Sequence, residues 1–121
     1  MPRVVDTIFT TDTVAAGATD TDVFAKVNWV VAGPTEIGIV TEFGVFGDQS
    51  AGTKWEAWSG QEFVGEGPPH YTSYNKDYVA NPNWTIEPGQ RLRLKIKNAA
   101  ASDQTYDIKI RIEFYDISEL G

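Results

Sequence analysis

The chain has 121 residues, 41% of them apolar and 22% charged, with a net charge of −7, no cysteine and a single histidine. That is enough for one two-layer domain. It excludes a disulfide framework, a thiolate metal site, a cysteine nucleophile and a multi-histidine zinc centre.

No run of about 18 apolar residues is available to span a bilayer as a helix. The opening Met1-Pro2-Arg3-Val4-Val5 has no long apolar stretch, so no secretory leader and no membrane partner are expected.

In chain order, Val4 to Phe9 predicts a short strand, with either Val5, Thr7 and Phe9 or Val4 and Ile8 facing inward. Thr10 to Thr21 has little periodicity and predicts a loop. Asp22 to Ala32 alternates Val23, Ala25, Val27, Trp29 and Val31 with Phe24, Lys26, Asn28 and Val30, which predicts a strand. Gly33-Pro34-Thr35 breaks it. Glu36 to Phe46 predicts a second strand, with Ile37, Ile39, Phe43 and Val45 on one face. Gly38 and Gly44 lie on its other face, where a bulge or a close backbone approach is expected. The short connection predicts an antiparallel hairpin between these two strands.

Gly47 to Thr53 is a loop, and short strands are expected at Lys54 to Trp58 and Gln61 to Val64. Trp55 and Trp58 should then face opposite ways. Gly65 to Asn83 is irregular, with one strand expected near Asp77–Ala80. A loop of this length is unusual in a compact domain unless it binds something.

The most regular stretch follows. Ile86-Glu87-Pro88-Gly89 supplies a turn. Gln90 to Lys97 then sets Leu92, Leu94 and Ile96 against Arg91, Arg93, Lys95 and Lys97. Thr105 to Ile117 sets Tyr106, Ile108, Ile110, Ile112 and Phe114 against Asp107, Lys109, Arg111, Glu113 and Tyr115. A strict period of two fits strands with one buried face. The whole predicts an all-β chain, a single antiparallel β-sandwich over residues 1–121, jelly-roll-like, with about eight strands. The link Asn98–Thr105 leaves two arrangements open. The last two strands are either neighbours, or separated by a crossing between sheets as in a jelly roll, which is favoured here.

Charge is unevenly placed. Residues 1–90 hold 12 acids and 4 bases, whereas residues 91–121 hold 6 bases and 5 acids. Arg91, Arg93, Lys95, Lys97, Lys109 and Arg111 are therefore candidate docking residues for an acidic neighbour or a second copy of the chain, set against ordinary solubilising surface. A jelly-roll crossing would split them into two basic patches. The negative total and the lack of a recognised motif speak against nucleic acid.

Aromatic residues cluster between positions 55 and 84. Trp55, Trp58, Tyr71, Tyr74, Tyr78 and Trp84 are candidates for a protein interface or a sugar platform, set against core packing. Carboxylate pairs such as Glu62/Glu66 and Asp20/Asp22 have no fixed separation or cleft. His70 has no nucleophile elbow beside it, and Asp20, Asp22 and Asp48 fall short of a calcium loop. The expectation is no catalytic residue, no metal and no cofactor.

With strands across 22–46, the Ile86–Gly89 turn and the closing strands 90–97 and 105–117, the chain resembles the small jelly-roll or β-sandwich cement proteins that decorate the capsids of tailed bacteriophages. The resemblance is architectural and carries over no individual binding residue. It implies a non-enzymatic virion component, assembled in the host cytoplasm. Such a component is often trimeric, clamps onto a coat lattice and works by self-association. The alternative from another class is a carbohydrate-binding or host-recognition module using Trp55, Trp58, Tyr71 and Tyr74.

Overall fold

The computed structural model describes residues 3–71 and 75–120. The expectation for Tyr74 lies outside the described residues, as does that for the side chain of Tyr71.

The elements are β1 (Arg3–Thr10), β2 (Thr19–Asp20), β3 (Glu36–Gly47), β4 (Lys54–Ser59), β5 (Glu62–Gly67), β6 (His70–Tyr71), a 3-10 turn at Lys76–Tyr78, β7 (Trp84–Ile86), β8 (Leu92–Lys97), β9 (Asp107–Asp116) and a one-turn helix α1 (Ile117–Leu120). The first sheet runs β1-β9-β3, with β7 antiparallel and β6 parallel on the far side of β3. The second sheet runs β2-β8-β4-β5 and is antiparallel throughout.

Setting aside the two-residue β6, every connection crosses between the sheets except the β4–β5 hairpin. That strand order is a jelly roll. The link Asn98–Thr105 makes one of these crossings, as expected. Asn98 fixes it. Its fully buried amide donates to the carbonyls of Val14 at 2.9 Å and Ser102 at 3.1 Å, and its oxygen accepts from the Ala100 amide at 2.9 Å.

The core lies between the sheets. Leu92, Leu94 and Ile96 from β8 meet Ile108, Ile110, Ile112 and Phe114 from β9, and all are buried to within 1%. Full burial of each such side chain stabilises the fold by about 1.5–3 kcal/mol. On β1, Val5 and Phe9 pack against this core, while Val4 and Ile8 face solvent.

Two strand expectations are corrected. Residues 22–32 do not form a strand and do not hairpin with β3. They form turns lying along β8, through Val23 N–H to Leu94 O at 2.7 Å and Leu92 N–H to Val30 O at 3.0 Å. Val23, Phe24, Val30 and Ala32 are buried, a spacing that turns can satisfy and a pleated strand cannot. Near Asp77–Ala80, the expected strand is a 3-10 turn followed by a single bridge from Ala80 to Phe43.

On β3 the bulge falls between Val40 and Glu42, not at either glycine. One extra residue reverses the parity of everything after it. Ile37 and Ile39 therefore share the outward side with Tyr115 and Glu113, while Phe43 and Val45 face the core. The close approach expected at the glycines is present. A Cβ on Gly38 would lie 2.9 Å from the Phe114 ring, and one on Gly44 2.9 Å from the Phe46 ring.

Candidate functional site

The candidate residues divide among three places. The first is a cleft between the second half of β3, the start of β4, and the segments Gly67 to His70 and Tyr78 to Trp84. Phe43, Trp55 and Trp84 form its back wall. Ring centroids are 5.1 Å apart for Phe43–Trp55, 4.9 Å for Phe43–Trp84 and 6.1 Å for Trp55–Trp84.

All three rings point inward from their strands. There is room for them because β5 presents glycine where it faces them. A Cβ on Gly65 would stand 2.8 Å from Trp84, and one on Gly67 3.4 Å from Trp55. At the mouth, His70 and Tyr78 stack face to face at 5.0 Å and 14°. The cleft holds about 180 Å³ and is lined also by Pro68 and Pro82. Its lining among the described residues is aromatic, proline, glycine and small apolar, and it offers stacking faces. The Trp55 and Trp84 rings are tilted by 59° to each other and do not make a flat platform.

The second place is the outer face of the second sheet. Trp58 stands opposite Arg93, Glu56 opposite Lys95, and Lys54 opposite Lys97. As expected, Trp58 faces away from Trp55. Its ring meets Phe63 edge-on at 5.6 Å, with the Arg93 guanidinium 5.5 Å and the Lys95 ammonium 5.9 Å from its centroid. Phe63 is about half exposed. Lys54 reaches Glu56 at 3.4 Å and Glu66 at 3.7 Å. Arg93, Lys95 and Lys97 make no ion pair among the described residues. Arg91, next along the chain, belongs elsewhere. It pairs with Asp22 and bridges to Val31, tying down the covering segment 22–32.

The third place is the outer face of the first sheet, where Lys109 and Arg111 are already neutralised. The Lys109 side chain is only 10% exposed and pairs with Asp6 and, at 3.3 Å, with Glu42. Burial alone would lower its pKa, but hydrogen bonds to Asp6 and Glu42 outweigh that and hold it above the ordinary lysine value. Arg111 pairs with Glu113, and its Nη1 donates to the Thr41 hydroxyl at 3.2 Å. Hydrogen bonds from the Tyr115 hydroxyl and then from Arg111 hold the Glu113 carboxyl below the usual range.

Comparison with protein-family models, curated proteins and solved structures finds no match.

The carboxylates weighed as metal ligands have turn roles. Asp20 accepts from the Asp22 amide at 3.1 Å, Asp22 from the Phe24 amide at 3.2 Å, and Asp48 from the Ser50 amide at 2.9 Å. Burial, then repulsion from Asp12, raises the pKa of Asp20. Sequence reasoning missed the part played by His70. Its stacking on Tyr78 depends on how an irregular loop closes, and no periodic signal reports that.

Proposed function

We propose that this chain is a non-enzymatic structural component of a larger assembly, of the kind that decorates a viral capsid. It docks through the outer face of its second sheet. The observation that carries the reading is Arg93 and Lys95 held beside Trp58 and the half-exposed Phe63, with Lys97 further along the same face, none of the three ion-paired among the described residues. A rigid sheet presenting aromatic anchors within a cationic rim suits a flat, acidic protein surface. Lys109 and Arg111 on the opposite sheet are ion-paired with Asp6, Glu42 and Glu113, which supports the second sheet as the docking face. The jelly-roll order supports the capsid context by analogy of fold only.

The test is the mass of the protein purified from its native source, alone and with its co-purifying material, by light scattering after gel filtration. Elution with a large protein particle supports the reading. A free monomer that binds no protein under low salt counts against it.

A second reading draws on the cleft, whose Trp55, Trp84, His70 and Tyr78 could hold one sugar ring in a glycan-recognition module. Titration of tryptophan fluorescence with oligosaccharides separates the two, because only this reading requires saturable quenching at Trp55 and Trp84.

A further inference from the structure

The two sheets have four long sides, and three of them are protected. Along β8 in the second sheet lie β2 and then the turns of residues 22–32, hydrogen-bonded to Leu92 and Leu94. The β5 side carries a bulge between Ala57 and Trp58 in its pairing with β4, and also Glu62 and Glu66. Beyond β3 in the first sheet lie, among the described residues, the three-residue β7, the two-residue β6 and the Ala80 bridge. Short strands, charges, bulges and covering segments are the usual defences of a sheet edge.

The fourth side is β1, whose two charges, Arg3 and Asp6, are each paired within the chain, and it has no bulge and no covering segment among the described residues. It runs eight residues without proline, glycine or lysine and pairs with β9 in unbroken register. Its backbone makes no hydrogen bond to any other described segment. Val4 and Ile8, on its outward side, are 45% and 47% exposed. An uncovered edge of this length presents a row of N–H and C=O groups to another strand.

We propose that β1 pairs antiparallel with β1 of a second copy, extending the first sheet across a two-fold axis. This rests on the reading above of a chain that works within an assembly, and adds a surface for self-association. A two-fold axis normal to the sheet keeps the inward sides of both copies together, so facing residues must both be even-numbered or both odd-numbered. The exposed apolar positions 4 and 8 are symmetric about Asp6. With Asp6 on the axis, Val4 of each copy stands beside Ile8 of the other on the outer face of the joined sheet, and each apolar pair shields part of its surface. The two Asp6 carboxylates then approach each other, each already paired with its own Lys109. Such an isologous contact closes at two subunits.

The absence of cysteine gives a clean test. A Val4→Cys/Ile8→Cys protein should form covalent dimers under mild oxidation, far in excess of a Phe63→Cys control. Positions 4 and 8 of one strand are about 13 Å apart and cannot bridge within a chain. In sedimentation, the wild-type chain should dimerise with concentration. Val4→Lys/Ile8→Lys should weaken the dimer at least about tenfold while leaving the circular dichroism and melting unchanged.

A wild-type monomer up to millimolar concentration overturns the proposal, as does a dimer indifferent to both lysines. If the lysine variant fails to fold, cross-linking decides: no excess over the Phe63→Cys control overturns it. A monomeric chain that still binds a large particle removes the edge pairing alone. A dimer that binds no particle supports the edge pairing and counts against the docking reading.

Discussion

Gly65 lies against the indole of Trp84, so close that a Cβ would stand 2.8 Å from its Cζ2. Trp84 cannot simply withdraw, because its ring is packed on Phe43 at 4.9 Å with Trp55 behind. Gly65→Ala should therefore destabilise the fold by about 1–3 kcal/mol, the usual effect of overpacking. Thermal melting checks this, and a shifted tryptophan emission should accompany it because the cleft wall moves. A melting temperature equal to that of the parent would show that the wall is looser than described.

Asn98 holds the crossing between the sheets. Asn98→Ala leaves the Val14 and Ser102 carbonyls without their side-chain donor, beside the buried start of the β8–β9 link. The Val14 carbonyl keeps the Gln104 amide, but the buried Ala100 amide loses its acceptor, and one buried group left unsatisfied costs about 1–3 kcal/mol, so a loss of that order is expected. Urea denaturation measures it as a lower midpoint with an unchanged slope.

The acid limb of stability has a named contributor. Hydrogen bonds from the Arg3 guanidinium, at 2.8 Å to Oε1, and then from the Gly33 amide hold the Glu36 carboxyl below its ordinary value of 4.5. A carboxyl lowered on folding adds stability that is fully present above its unfolded value and is lost as pH falls through the folded one. Glu113 has the same sign. Melting temperature should thus decline below about pH 4.5, and Glu36→Gln should flatten part of that decline. An acid limb equally steep in the variant would show that Arg3 and Gly33 do not distinguish the charged carboxyl.

What the sequence revealed follows from what enforces alternation. On β8 and β9 one face is fully buried and the other is charged, so Leu92 to Ile96 and Ile108 to Phe114 leave no choice of period. Along residues 22–32 the apolar residues are as dense, but they bury against the edge of β8 from turns. The alternation of Val23, Ala25, Val27, Trp29 and Val31 is therefore coincidental. The bulge between Val40 and Glu42 has no residue signature, and without it Ile37 and Phe43 read as one face. Trp55 and Trp58 were separable because β4 is regular between them, despite the bulge that β5 carries opposite. The pairing state of the six bases was not legible. Their partners Asp6, Asp22 and Glu42 arrive from strands and turns far away in sequence.

Docking through the outer face of the second sheet is tested most directly by reversing two of its free charges. Arg93→Glu/Lys95→Glu should be sedimented with the particle that co-purifies with the native protein, at low and at high ionic strength. The account predicts that the native chain co-sediments and that the reversal releases it, with the larger loss at low salt, where the charges are least screened. Equal co-sedimentation of native and reversed chains at low salt would contradict it.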